Sequence, residues 1–361
     1  MISLKKHRNQ FLWLLTKTPA NKIYINLTKT IYFLYSLLIN CKCQNEKGDA
    51  MEKKKWITRI KRFHVIAAVL CTLTACQTEM TQQEQVKIAG LENMGKITSV
   101  AREEGSGTRD IFVDKIGLLQ KDNNGKEVDQ TREDVKIVMD ANAVIDAVKG
   151  EENAIGYVSL GAISKEMDGI KIVKIDGMEA NSENIKNNKY ALSRNFYLTY
   201  EGKLSDIEQD FMTYILSEGQ KIVDGNYTIV KDANTFLSSK DKGVIKISGS
   251  TSMAPLMKDL ANEYMKINKN AVITVEGTDS TSGLVAAMQK VSDIGMSSRE
   301  LKDYEKELLD TTVIAKDGVA VIVNEKNPVE NLTREQLKTI YSGQAKEWSD
   351  LNKNVLYNSK K

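Results

Sequence analysis

The chain has 361 residues, of which 41% are hydrophobic and 27% are charged. This length suits about two domains, and this apolar fraction excludes an intrinsically disordered chain. The formal net charge is +3, but residues 1–75 carry 14 basic and only 3 acidic residues. The remainder has 37 basic and 45 acidic residues, a net charge of −8, which makes nucleic acid a poor candidate partner.

A secretory signal of the bacterial lipoprotein type is predicted at residues 51–75. A basic stretch begins at Met51, and the apolar stretch Phe63–Leu73 is too short for a comfortable membrane span. The segment Leu73–Cys76 resembles a lipobox, so we expect Cys76 to carry a lipid and to become the N-terminus. The alternative is an ordinary signal peptide with an incidental cysteine.

Residues 1–50 precede Met51, which is the better candidate for the start of translation. We interpret them as upstream leader sequence. The segment Glu46–Asp49 can be encoded by a purine-rich stretch placed as a ribosome-binding site for Met51 would be. A membrane anchor is the alternative, because Thr30–Asn40 is apolar.

Removal of residues 1–75 leaves little for covalent catalysis. That segment contains both histidines and three of the four cysteines: His7, His64, Cys41, Cys43 and Cys71. Since Cys76 is expected to carry lipid, Ser-His-Asp and Cys-His catalysis, His/Cys zinc sites and structural disulfides are excluded. We predict no catalytic residue, no metal and no cofactor.

The first folded unit follows a polar tether, which we predict at residues 76–93. A strand at Ile97–Val100 is followed by the turn Gly105–Gly107 and by a helix with four apolar residues on one face: Ile111, Phe112, Ile116 and Leu118. Such a turn aims backbone N–H groups and the positive end of a helix at one point. With Arg102 beside it, the turn indicates an oxyanion site, although a simple turn is the alternative.

Strands and helices alternate along the next 130 residues. Ser205 followed by Glu208 is typical of a capping box at a helix start, and the polar segment Lys231–Lys242 is predicted to be a linker. Strands are predicted at Val135–Met139, Asn153–Leu160, Ile170–Ile175 and Tyr190–Tyr200, and helices at Ala141–Lys149 and Ser205–Leu216.

The strand, small-residue turn and helix then recur twice, at Val244–Ile267 and Ala271–Val291. Asp293–Arg299 is predicted to be a strand that ends in two hydroxyl residues, and the apolar stretch Thr311–Asn324 suits central strands. A helix capped by Thr333 follows. This alternation predicts an α/β fold with a mostly parallel sheet in each domain.

The three turns each carry Ser or Thr with Gly at the end of a strand. Ligands of open α/β sheets bind at strand carboxyl ends. Together with Arg102 the turns form a convergent set of neutral donors, which is what a desolvated oxyanion needs.

Five segments of the chain resemble the phosphate-binding lipoproteins of bacterial phosphate ABC transporters, which have the periplasmic-binding-protein type 2 fold. The resemblance covers nearly all of residues 90–352. The segments that carry it are Arg102–Asp110, Asn153–Gly161, Val244–Pro255, Asp293–Glu300, and Asp317–Asn324 with Asn327–Thr333.

The order of these segments is unusual for the family, whose members begin with the stretch like Val244–Pro255. The chain therefore resembles a circular permutant, in which residues 346–354 would lead into Gly95–Val100 in the family's order. The alternative is a piece of a longer tandem chain.

The resemblance implies a two-domain venus-flytrap fold with crossover strands at Tyr190–Tyr200 and Gly318–Asn324. One ligand-binding domain would be contiguous, residues 195–317. The other would be discontinuous, residues 94–194 and 318–361.

The resemblance also implies which residues bind phosphate: Arg102, Ser106, Gly107, Thr108, Thr251, Ser252, Ser280 and Ser298. Ser298 departs from the family's better-known members, which place an Asp there to accept the proton of monohydrogen phosphate and to repel sulfate. Asp279 or Glu103 could supply an acceptor instead, but we favour a solvated loop charge for each.

The resemblance implies an extracytoplasmic receptor that is lipid-anchored at the cell membrane and captures inorganic phosphate for a membrane permease and its ATPase. We expect a monomer that is not an enzyme and does not bind nucleic acid. The alternatives are a receptor for another oxyanion such as sulfate, a lipoprotein sensor or adhesin, and a phosphatase-like enzyme.

Overall fold

The computed structural model describes residues 88–123, 127–163 and 168–352. The predicted leader, the signal peptide and Cys76 lie outside the described residues. Among the helices of the described ranges, none is both long and apolar enough to cross a membrane.

The secondary structure follows the predicted alternation. The strands are β1 Thr98–Arg102, β2 Leu119–Lys121, β3 Glu127–Asp129, β4 Lys136–Val138, β5 Ala154–Ser159, β6 Ile170–Ile175, β7 Ser193–Tyr200, β8 Gly243–Gly249, β9 Ala271–Gly277, β10 Ile294–Ser297, β11 Asp310–Asn324 and β12 Asn331–Leu332. The helices are α1 Gly107–Lys115, α2 Ala141–Gly150, α3 Ser182–Lys186, α4 Asp206–Ile215, α5 Gln220–Asn226, α6 Ala254–Ile267, α7 Ser280–Met288, α8 Asp303–Leu308 and α9 Arg334–Tyr341.

Ten strands form one sheet whose main path is β4-β1-β5-β11-β7-β10-β8-β9, with β6 and β12 attached through β11. The α/β class is confirmed, but the sheet is mixed. β11 runs antiparallel to β5, β6 and β7, and β7 runs antiparallel to β10. The outer pairs, β1 with β4 and β8 with β9, are parallel as expected.

The apolar stretch at Thr311–Asn324 forms a single strand of 15 residues, β11, rather than separate central strands. Its first part pairs with β7, and its last part pairs with β5 and β6. The end of β11, Gly318–Asn324, is buried on both faces, and its run of small and β-branched residues suits this central position, whereas Asp310 and Thr311 at its start are exposed.

The buried apolar residues of the described ranges form four clusters, which fall into two sets by their position in the chain. The first core draws on residues 91–192 and 319–351, and the second core draws on residues 196–315. β7 and β11 connect the two sets, since each strand leaves one core and enters the other.

Two distant segments of the chain meet at the edge of the first core. The N–H of Ile97 donates to the carbonyl of Lys346 at 2.9 Å, and the N–H of Trp348 donates to that of Gly95 at 3.0 Å. Trp348 is fully buried, and its indole N–H donates to the carbonyl of Asn153 at 2.9 Å. Residues 346–348 therefore lie directly beside the start of β1.

The predicted tether is shorter than expected at its C-terminal end. Leu91 is fully buried in the first core, and Ile88 exchanges two hydrogen bonds with the side chain of Asn352, at 2.9 and 3.0 Å. Burial of the Leu91 side chain favours docking of this segment over a free tether.

Replacing Leu91 by alanine should therefore lower the free energy of unfolding by about 2–5 kcal/mol, as for other buried leucines. Chemical denaturation checks this value. The matched control is Leu237→Ala, because Leu237 is 92% exposed and its loss should change stability by less than about 0.5 kcal/mol. Equal small effects of both changes would show that residues 88–93 are not docked.

Candidate functional site

Arg102 is the last residue of β1, and its side chain is buried although it carries a full charge. Its Nε and Nη2 donate to the two carboxylate oxygens of Glu103 at 2.8 and 2.7 Å. Nη2 also donates to the carbonyl of Met139 at 3.0 Å and to Oγ1 of Thr251 at 2.9 Å. The expectation that Glu103 is a solvated loop charge is wrong, because Glu103 is buried against this guanidinium.

The start of α1 faces the second core across a close contact. Ser106 precedes the helix and makes no side-chain capping bond, so the first N–H groups of α1 lack helical acceptors. A Cβ atom on Gly107 would lie 2.6 Å from Oγ of Ser298, and it would lie closer still to Oγ of Ser280. Only glycine allows α1 to approach Ser280 and Ser298 this closely. The close approach places the N–H of residue 107 beside these serines.

The facing surface of the second core is built from serine hydroxyls. Ser250 donates to Oγ of Ser298 at 2.9 Å, and the N–H of Ser298 donates to Oγ of Ser280 at 3.1 Å. All three serines are buried. Asp279 is half-buried, and its carboxylate caps α7 by accepting the N–H of Ser282 at 2.8 Å.

A second direct contact joins the two cores at the turn before α6. Oγ1 of Thr108 and Oγ of Ser252 lie 2.8 Å apart, although 144 residues separate them in the sequence. With the pair of Arg102 and Thr251, this contact brings all eight predicted site residues into one cluster. Their role in binding an anion stays a prediction.

The ion pair of Arg194 and Asp317 is a feature of the site that our reading of the sequence missed. Both side chains are buried, with 0% and 1% exposed. Nε and Nη2 of Arg194 donate to one oxygen of Asp317 at 2.9 and 2.7 Å, and Nη1 donates to Oγ1 of Thr108 at 2.8 Å. Burial lowers the pKa of the Arg194 guanidinium, and the Asp317 carboxylate opposes that shift. The signal available was Arg194, the one charged residue of β7, together with Asp317 within the largely apolar β11.

The buried Arg299 pairs with acidic residues that are not its nearest neighbours in the sequence. Its Nη1 and Nη2 bond to the carboxylate of Glu305 at 2.8 and 2.9 Å. Glu305 is held there because it also accepts the N–H of Lys302 at 2.7 Å. Nε of Arg299 lies 3.0 Å from Asp110 on α1, so this buried arginine links the two cores.

Replacing Asp110 by asparagine should speed release of a bound anion about two- to fivefold, because a partly exposed ion pair contributes at most about 1 kcal/mol. The Asp110 side chain is 38% exposed. Stopped-flow release kinetics check the rate. The control is Asp134→Asn, since Asp134 pairs with Arg132 within the first-core residues. Equal release rates in the two variants would show that the Asp110 pair does not stabilise the contact between the two cores.

Three hydroxyl oxygens of the cluster act as hydrogen-bond acceptors. Oγ1 of Thr108, Oγ of Ser280 and Oγ of Ser298 each accept a hydrogen bond from a protein group. Each hydroxyl therefore has its own hydrogen to direct elsewhere, towards a neighbouring hydroxyl or towards an oxyanion. No group of three or more His, Cys, Asp or Glu side chains in the described residues is arranged to hold a metal ion.

Comparison with known proteins gives a consistent result. A family model described as a PBP superfamily domain matches residues 69–219 and 235–360. The chain is 38% identical over 263 residues to phosphate-binding protein PstS 2 of Streptococcus agalactiae serotype V, covering 72% of this chain and 89% of that one. It is 34% identical over 299 residues to phosphate-binding protein PstS 2 of Streptococcus pneumoniae serotype 4, covering 81% and 99%.

A solved structure agrees with these matches. A crystal structure of a phosphate-binding protein of a phosphate ABC transporter from Streptococcus pneumoniae is 36% identical in sequence. It covers 71% of this chain and 99% of its own, with a TM-score of 0.60.

Proposed function

The chain belongs to the PstS-type phosphate-binding proteins of the PBP superfamily, and on that premise we propose that it captures inorganic phosphate for an ABC transporter. The observation that carries this proposal is the buried cluster around Arg102. It combines one guanidinium, the start of a helix and several hydroxyls with hydrogens left to donate. These groups match the charge and the acceptor oxygens of phosphate.

The cluster has enough donors to offset the desolvation of an anion. A hydrogen bond to a charged group contributes roughly 1.5–3 kcal/mol. Several such bonds can leave a net binding free energy of about −8 kcal/mol, which corresponds to a micromolar dissociation constant. No covalent step is needed, so the proposal is a binding protein rather than an enzyme.

We further propose that the protein binds by closing two domains on the anion. The separate cores support a contiguous domain at residues 195–317 and a discontinuous one whose described core residues lie at 91–192 and 319–351. Arg102 and Thr108 belong to one domain, and Thr251 and Ser280 belong to the other. An anion held by both sets therefore stabilises the closed arrangement.

The proposed setting is the extracytoplasmic face of the cell membrane, with a lipid anchor at Cys76. There the protein would act as a monomer and deliver phosphate to a membrane permease and its ATPase. A lipoprotein sensor or adhesin is the second candidate, and adjacent permease and ATPase genes would favour the transporter. Turnover of a phosphate monoester would instead favour an enzyme.

We also propose that the chain is circularly permuted relative to family members that begin with the Val244–Pro255 motif. The support is the contact between residues 346–348 and Gly95–Ile97, where the family's order would continue directly from one to the other. Such a junction needs little rearrangement when the two segments already lie side by side.

Equilibrium dialysis of the purified protein against labelled phosphate and labelled sulfate tests the proposed ligand. Phosphate should bind with a micromolar dissociation constant. Equal affinity for sulfate would favour the alternative that the protein binds tetrahedral oxyanions in general. The lack of selectivity would then be explained by Ser298, which stands where a carboxylate is expected. Absence of phosphate binding would overturn the proposal.

A further inference from the structure

We propose that Arg194 is a positioning residue for anion binding, which fixes the Thr108 hydroxyl as a donor to the anion. This inference rests on the proposed function, since it concerns the affinity of the same site. Arg194 lies on β7, and its Nη1 donates to Oγ1 of Thr108 at 2.8 Å and also lies 3.4 Å from the carbonyl oxygen of Ser298.

The geometry fixes the direction of one hydrogen bond. Nη1 of Arg194 lies 2.8 Å from Oγ1 of Thr108, and a guanidinium has donors but no acceptor. The Thr108 hydrogen therefore cannot point towards Arg194. It is directed away from Arg194, and Oγ of Ser252, another predicted site residue, lies 2.8 Å from the same Oγ1. Without Arg194, the same hydroxyl could turn and present a lone pair to the anion, which repels it.

Arg194 is itself held rigidly by both crossover strands. Residues 194 and 317 are paired in the register of β7 and β11, and Asp317 takes two hydrogen bonds from the guanidinium. Ser159 donates to the same Asp317 oxygen at 2.9 Å. A guanidinium fixed in this way orients its partner without the entropy cost of ordering a long side chain at binding.

The alternative is that this ion pair serves the fold alone. Its two partners are buried and connect the strands that run between the cores, which is a sufficient structural reason for them. The two accounts differ in one respect: only a positioning role makes the effect of Arg194 depend on the Thr108 hydroxyl.

A double-mutant cycle on phosphate affinity of the purified full chain tests this dependence. Thr108→Val removes the hydroxyl and keeps the shape. Arg194→Met combined with Asp317→Leu replaces the ion pair by apolar residues of similar size, so that no buried charge is left alone. Equilibrium dialysis with labelled phosphate gives each dissociation constant, and denaturant unfolding shows that each variant is folded.

We expect each change alone to weaken phosphate binding about tenfold, and all changes together to weaken it no more than Thr108→Val alone. Effects that multiply to about 100-fold would overturn the inference and leave the proposed function intact. A parent protein that does not bind phosphate would instead overturn the proposed function.

Arg194→Lys replaces the apolar variant in this test if the apolar variant does not fold. It keeps a charge and a donor but loses the fixed geometry of the guanidinium. It should weaken phosphate binding about threefold in the parent and have no effect in the Thr108→Val background. The same loss in both backgrounds would contradict a positioning role.

Discussion

Replacing Arg102 by alanine should weaken phosphate binding by about 100-fold or more, the largest effect we expect from one side chain. The change removes the one full positive charge among the eight predicted site residues, a loss of roughly 3 kcal/mol for a hydrogen-bonded charge. It also leaves the buried Glu103 carboxylate without its guanidinium partner and close to the anion. Calorimetric titration with phosphate measures the change.

Two further variants help to interpret the Arg102→Ala result. Adding Glu103→Gln should recover part of the lost affinity, because it removes the repulsion but not the missing donors. Arg132→Ala removes an arginine that pairs with Asp134 away from the cluster, and it should leave affinity unchanged. Unchanged affinity in the Arg102 variant would move the binding site elsewhere.

Replacing Gly107 by alanine should weaken phosphate binding by about 10- to 100-fold, because overpacking of a close contact costs roughly 1–3 kcal/mol. The added methyl group would lie 2.6 Å from Oγ of Ser298 when the two cores meet. The backbone N–H remains, and alanine suits the first turn of a helix. The loss would therefore come from closure rather than from a missing donor.

Two measurements separate these effects for Gly107→Ala. Small-angle scattering with saturating phosphate should show a larger radius of gyration than that of the parent protein. The control is Gly225→Ala, since a Cβ on Gly225 meets nothing within 4 Å. A Gly107 variant with parental affinity would show that the contact of α1 with Ser280 and Ser298 does not form in the bound state.

Local sequence signals predicted the elements well because their causes are local. Ser205 and Glu208 predicted the start of α4, and the Ser205 N–H does donate to the Glu208 carboxylate at 2.6 Å. At the start of α9 the N–H of Thr333 likewise donates to the Gln336 side chain at 2.9 Å, and the Thr333 hydroxyl accepts the N–H of Gln336 at 3.1 Å. The turns of Gly with Ser or Thr were likewise visible as donors, whereas the full set of eight residues was named through the resemblance to the phosphate-binding lipoproteins.

Pairings between distant segments were not accessible in this way. The contact of Arg194 with Asp317 depends on the register of β7 against β11, which one sequence does not specify. Arg299 had two acidic residues nearby in the sequence, yet it pairs with Glu305 and Asp110, because strand β10 ends facing α1. The prediction of a mostly parallel sheet was wrong for the same reason, since apolar runs predict burial but not strand direction.

A crystal structure of the protein with phosphate bound tests the central claim most directly, that residues from both cores enclose the anion. We predict one phosphate within hydrogen-bond distance of Arg102 and Thr108 from one side and of Thr251 and Ser280 from the other. A phosphate bound outside this cluster, or one held by residues of a single core, would contradict the account.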